Sequence, residues 1–101
     1  MNEFIYVVKP NRPAMLVDGP NAEEARALEQ HLDYLNGLLA EEQAILFGRT
    51  QTHDIHTFGI VIFEAQDEAA ATAIMHADPA VRAGVMTARL FPYKIIGQRG
   101  R

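Results

Sequence analysis

The chain has 101 residues, 49% of them hydrophobic, with a net charge of −4 and no cysteine. A single domain of this size buries roughly 60–70% of its unfolded surface, so its core is modest and a partner subunit would help it. Scattered basic residues argue against a nucleic-acid surface, and the lack of cysteine excludes disulfides, thiolate metal sites and a thiol nucleophile. No serine occurs either, which removes a serine nucleophile.

Met1 to Val8 enters a strand-like run at once, without a basic leader or a small-residue cleavage site, and no apolar run reaches the ~20 residues of a membrane helix. The expectation is a soluble, cytoplasmic protein. Phe4 to Val8 reads as a strand buried on both faces, and the prolines of Lys9-Pro10-Asn11-Arg12-Pro13 end it. Residues 14–20 read as a loop.

Asn21 is a good helix cap, with Glu23 and Glu24 in the first turn where the helix dipole favours them. The helical pattern runs from Ala22 to about Glu42. Leu28, Leu32, Leu35 and Leu39 form one apolar stripe, with a second row of Ala27, His31, Tyr34 and Leu38 beside it. That places His31 on the margin of the buried face. Ala44 to Phe47 begins a second strand that extends through Gln51, and Thr57 to Glu64 is the strongest strand of the chain. His53-Asp54-Ile55-His56 links them as a hairpin connection.

Asp67 caps a second helix whose small-residue face is Ala70, Ala73, Ile74 and Ala77. Pro79 ends it, because the residue before a proline is pushed out of the helical region. Residues 80–83 add a single turn, and Val85 to Phe91 form a last strand that Pro92 marks as an edge. The order β-α-β-β-α-β is that of a ferredoxin-like α+β domain, a four-stranded antiparallel sheet with two helices on one face. One domain spans residues 1–101, with its core at about 4–96 and a polar tail at 97–101. The apolar residues that strands one and three offer to the open sheet face predict a homodimer through that face.

His31 is the first candidate for chemistry, although a lone histidine at a helix margin is more often a hydrogen-bonded structural one. Asp78 is its plausible partner. It follows the second helix, at the unfavourable negative end of the dipole, and antiparallel helices bring that end toward the first half of the first helix. It is equally suited to cap the short turn after it, with Pro79 at the first position, and the two roles are compatible. Arg49 suits an anionic or phenolic substrate oxygen, and Tyr6, Tyr34 and Phe91 are weaker binding candidates. His53, Asp54 and His56 lie too close in sequence for a good metal site, so no metal and no cofactor are expected. His76 suits the dipole at its helix end.

Several blocks together resemble the YCII-related family of the dimeric α+β barrel superfamily. They are His31-Leu32-Asp33-Tyr34-Leu35, Gly59 to Ala65, Ala77-Asp78-Pro79-Ala80-Val81-Arg82-Ala83-Gly84-Val85, and Phe91-Pro92-Tyr93. The resemblance implies a ferredoxin-like protomer that dimerises through its sheet, and a catalytic histidine–aspartate pair at His31 and Asp78. Relatives include a dehydrochlorinase of chlorinated hydroxyquinols, and the superfamily holds muconolactone isomerases and cofactor-free monooxygenases. Where the family often has Gly-Pro after the second strand, this chain has Gly48-Arg49, which alters the expected pocket wall. The functional expectation is a lyase, isomerase or dehydrochlorinase that moves a proton on a small cyclic or phenolic molecule. The alternative is a non-enzymatic module that binds a small ligand or a partner.

Overall fold

A computed structural model describes residues 1–100. Its strands are β1 (Asn2–Pro10), β2 (Ala44–Arg49), β3 (Gly59–Ala65) and β4 (Met86–Pro92). The helices are α1 (Ala14–Asp18), α2 (Ala22–Ala40), α3 (Glu68–Ala77) and α4 (Pro79–Arg82). The sheet order is β2-β3-β1-β4, with every neighbouring pair antiparallel. This is the ferredoxin-like α+β arrangement that the element order predicts, and the Pro92-bearing strand is indeed an edge.

The core lies between α2, α3 and one face of the sheet. Phe4, Tyr6 and Val8 of β1 meet Val61 and Phe63 of β3, Leu35 and Leu38 of α2, and Ala71 and Met75 of α3. Strand side chains alternate faces, so Ile5 and Val7 point the other way and are only half-buried. A strand buried on both faces is therefore not what β1 is. Its pairing is also longer than expected, from Asn2 opposite Ala65 to Pro10 opposite Met86. Proline is tolerated there because it sits at the strand's last position.

Residues 14–20 are not all loop. Ala14–Asp18 forms one helical turn, and its Met15 is buried against Ala27 and Val85. A single turn without a polar cap carries no readable period, and packing of Met15 is what organises it. The following helix, α2, starts with a full capping box: Asn21 accepts from the Glu24 backbone, and the Glu24 carboxylate accepts from the Asn21 N–H. It ends at Ala40 rather than Glu42. The Gln43 N–H donates to the Leu38 carbonyl and the Glu42 N–H to the Leu39 carbonyl, with Glu42 at φ 60°. That is a Schellman closure with a glutamate where glycine is usual, which hides the helix end from a sequence reading.

The buried face of α2 is rotated from the leucine stripe. Glu24, Ala27, His31, Leu35 and Leu38 are buried, whereas Leu32 is 53% exposed and Leu39 43% exposed. His31 therefore lies within the buried face and not on its margin. Along α3 the buried residues are Ala71 and Met75, while Ala73 and Ala77 are exposed. Asp67 does cap this helix, accepting from the Ala70 N–H at 2.8 Å.

The hairpin strands are shorter than expected, β2 ending at Arg49 and β3 starting at Gly59. A Cβ on Gly59 would come within 3.1 Å of a Val8 methyl and 3.2 Å of the Gly48 carbonyl, so a larger residue fits here only if these neighbours give by a few tenths of an ångström. Residues 93–100 carry no regular secondary structure, although the Tyr93 and Ile95 N–H groups donate to Glu3. Residue 101, the end of the expected polar tail, lies outside the described residues.

Candidate active site

Asp78 is where the two helical units meet. It closes α3 with an extended backbone and begins α4, its side chain accepting from the Ala80 N–H at 3.0 Å. Capping the second helix relieves the unfavourable position at the end of the first. The carboxylate is fully buried and is held from two further sides. Nδ1 of His31 lies 2.7 Å from both of its oxygens, and the Tyr6 hydroxyl donates to Oδ2 at 2.7 Å. Asp78 thus fills both roles open to it in sequence, cap and imidazole partner.

The donors assign the tautomer. A carboxylate only accepts, so His31 presents Nδ1–H to Asp78, and in the neutral ring the lone pair is then on Nε2. Tyr6 reinforces the arrangement: burial, then the charge of Asp78, push its phenol pKa far up, so it stays a donor. Its ring stands edge-on to Phe63, 5.7 Å between centroids, which fixes where the hydroxyl points. Nε2 of His31 has no protein partner. Among the described residues no fully buried side-chain nitrogen or oxygen lacks one, so Nε2 is an atom that solvent reaches.

His31 lines a cavity of about 640 Å³, within the range that holds one small ring-bearing molecule. Its walls are mainly apolar: Val8 and Val61 from the sheet, Met15 and Leu16 from α1, and Leu28, Leu32 and Leu35 from α2. This explains the exposed Leu32, which sits at the cavity and not under the helix. Phe47, Gly48 and Arg49 of β2 and Thr52, His53, Thr57 and Phe58 of the hairpin connection close the other side. Arg49 makes no ion pair among the described residues, and its guanidinium donates only to the Thr50 carbonyl at 3.4 Å.

The other aromatic candidates lie elsewhere. Tyr6 has no exposed surface and reaches the site only through Asp78. Tyr34 is half-buried and donates to the Ile74 carbonyl at 2.8 Å, tying α2 to α3. Phe91 lies on the open sheet face under the Arg89 guanidinium. None of the three lines the cavity. Among the described residues no three histidine, aspartate or glutamate side chains gather as a metal site would need. No helix is long and apolar enough to cross a membrane. The hydrogen bond from Tyr6 to Asp78 and the cavity-lining hairpin connection escape a sequence reading, because both pair residues far apart or irregularly spaced in the chain.

Several solved structures share this fold, among them the following two. The first is 5-chloro-2-hydroxyhydroquinone dehydrochlorinase (TftG) from Burkholderia phenoliruptrix AC1100, in complex with 2,5-dihydroxybenzoquinone. It is similar at a TM-score of 0.64 and 21% identity, over 90% of this chain and 93% of that one. The uncharacterised protein TM1266 from Thermotoga maritima is similar at a TM-score of 0.55 and 12% identity, over 91% and 95%. No curated protein matches the sequence. The YCII-related domain matches residues 4–92, almost the whole of the sheet and every helix, and the chain belongs to that family.

Proposed function

We propose that the protein is a cofactor-free enzyme that moves a proton on a small cyclic molecule, with His31 as general base and Asp78 as the group that orients it. One observation carries this reading: Nδ1 of His31 is held by a buried carboxylate while Nε2 is left free on a ring that lines a cavity. A histidine that serves only the fold has no need to leave one nitrogen open in a ligand-sized space. Asp78 holds the tautomer and stabilises the imidazolium that forms when Nε2 takes a proton, and Tyr6 positions Asp78. Arg49 receives the oxyanion that develops as the substrate C–H bond breaks.

The apolar walls favour a flat ring, and the Arg49 guanidinium, without an ion-pair partner among the described residues, favours an oxygen-bearing one. The dehydrochlorinase with a bound dihydroxybenzoquinone adds support for phenols and quinones as the first class to screen. Two copies joined through the open sheet face complete the proposal. Ile5, Val7 and Ile60 are half-buried there, with Leu46 43% exposed beside them, and sedimentation equilibrium at micromolar concentration is expected to give a two-chain mass.

Proton transfer is tested directly by incubating the protein in D₂O with phenols, quinols and unsaturated lactones and following loss of acidic C–H signals by NMR. The wild type is expected to accelerate exchange of at least one compound, and His31→Gln to lower that rate about 10²–10⁴-fold. If compounds bind equally to both proteins and neither accelerates exchange, the cavity is a binding site without catalysis.

A further inference from the structure

A proton taken from carbon has to be matched by a proton given elsewhere, and the cavity contains a second group able to do this. Three ionisable side chains line it: His31, Arg49 and His53. Arginine keeps its proton, so His53 is the other lining residue that can exchange one. Tyr6 and Tyr34 are engaged with Asp78 and Ile74, and neither lines the cavity.

His53 sits on a connection that is built, not slack. The Thr50 N–H donates to the Phe58 carbonyl at 2.9 Å and closes it as a ladder rung. Inside run three threonine hydroxyls whose directions follow from one another. The Thr57 hydroxyl donates to the Thr52 carbonyl at 2.6 Å, so its oxygen accepts from Thr52 at 3.0 Å. The Thr52 oxygen then accepts from Thr50 at 2.7 Å, and the Thr50 oxygen accepts from the Phe58 N–H at 3.2 Å. Each hydroxyl donates once, in one direction, an arrangement in which the bonds strengthen one another. The Asp54 carboxylate ties down the His56 N–H at 2.8 Å, and the Thr57 N–H donates to the Asp54 carbonyl at 3.0 Å. His53 lies between Thr52 and Asp54 of this braced segment and lines the cavity, whereas His56 does not.

We propose that His53 is the general acid that returns a proton to the substrate after His31 has removed one. This rests on the acid–base reading of His31. His31 Nε2 takes a proton from the carbon beside a carbonyl, and the C–H electron pair moves onto the carbonyl oxygen as an enolate. As the enolate collapses, its electrons either bond the His53 proton at a conjugated carbon or expel a leaving group that departs with that proton. His31 ends protonated and His53 neutral, and exchange with water resets both. The substrate class is therefore a ring carbonyl or phenol with an acidic C–H and a conjugated or leaving-group carbon.

The test uses the full chain and α-angelica lactone, a β,γ-unsaturated lactone, in D₂O. Proton NMR follows two rates at once, wash-out of the proton next to the carbonyl and formation of the conjugated isomer. With His53→Gln the isomer is expected to form at least tenfold more slowly while wash-out stays within threefold of wild type. His56→Gln, on the same connection but off the cavity, is expected to change neither. If His53→Gln isomerises as fast as wild type, the assignment of His53 is overturned and that of His31 stands. If the wild type accelerates neither process, both are overturned.

Discussion

Two carboxylates tie α2 to the rest of the molecule, and they are used in opposite ways. Glu24, near the start of the helix, takes two hydrogen bonds from the Arg12 guanidinium at 2.6 and 2.8 Å and one from the Asn21 N–H at 2.9 Å. Arg12 also reaches the Gly19 carbonyl, so the pair closes the segment between β1 and α2 on itself. Every member points at another member. Asp78, facing the middle of the same helix, is just as fully engaged, but its partner His31 keeps a nitrogen directed away from the network. The difference teaches how to tell a clasp from a site: burial and short distances are common to both, and only the second has a reactive atom left over.

Removing the carboxylate at the candidate site has the largest expected effect. Asp78→Ala leaves His31 Nδ1, the Tyr6 hydroxyl and the Ala80 N–H without their acceptor in the interior, and is expected to cost about 3–5 kcal/mol in urea unfolding. A loss under about 1 kcal/mol would break the claim that these donors depend on Asp78. Tyr6→Phe keeps the ring and removes one bond to a charged acceptor, for a cost of about 1.5–3 kcal/mol by the same measurement. It also sharpens the positioning role. The rate of any catalysed proton exchange should fall although Tyr6 touches no part of the cavity, and an unchanged rate would leave Tyr6 a purely structural residue.

On the clasp, Asn21→Ala removes the cap of α2 and is expected to cost about 1 kcal/mol, read as a lower urea midpoint with an unchanged slope. The smallest effect is a change in pH dependence. The hydrogen bonds from Arg12, then that from the Asn21 backbone, pull the Glu24 pKa from the ordinary 4.5 to about 2. A depressed carboxylate pKa contributes stability that is present above about 4.5 and is lost as the pH falls through about 2. Arg12→Met is therefore expected to flatten the acid limb of the stability curve across that window, with proton exchange at neutral pH unchanged. An acid limb identical to wild type would show that the clasp contributes nothing to folding.

How much of this was legible follows from the kind of signal each feature leaves. Asn21 and Asp67 cap helices as their positions predict, because a cap is decided by the residue itself and the backbone within three positions of it. The rotation of α2 was not legible. Leu28, Leu32, Leu35 and Leu39 make a regular stripe, but the first three of them border the cavity and the helix turns His31 inward to meet Asp78. Period alone shows that a helix has an apolar side, and does not distinguish a side that faces the core from one that faces a ligand. His31 and Asp78 stood out by residue type and by position relative to the helices, and the chain brings them together across 47 residues.

Local chemistry in the sequence thus determined the four strands, the two long helices, their order and the antiparallel ferredoxin-like sheet, though not the short α1, since hydrophobic period, caps and prolines act over a few residues. Only the tertiary structure decided which face of α2 is buried, that Tyr6 serves Asp78 instead of a ligand, and that the hairpin connection forms a wall of the cavity. Those outcomes depend on contacts between segments 40 or more residues apart in several cases, as with Tyr6 and Asp78 at 72. No short-range pattern encodes them, because each is settled by which side chains fill the space that the packed sheet and helices leave.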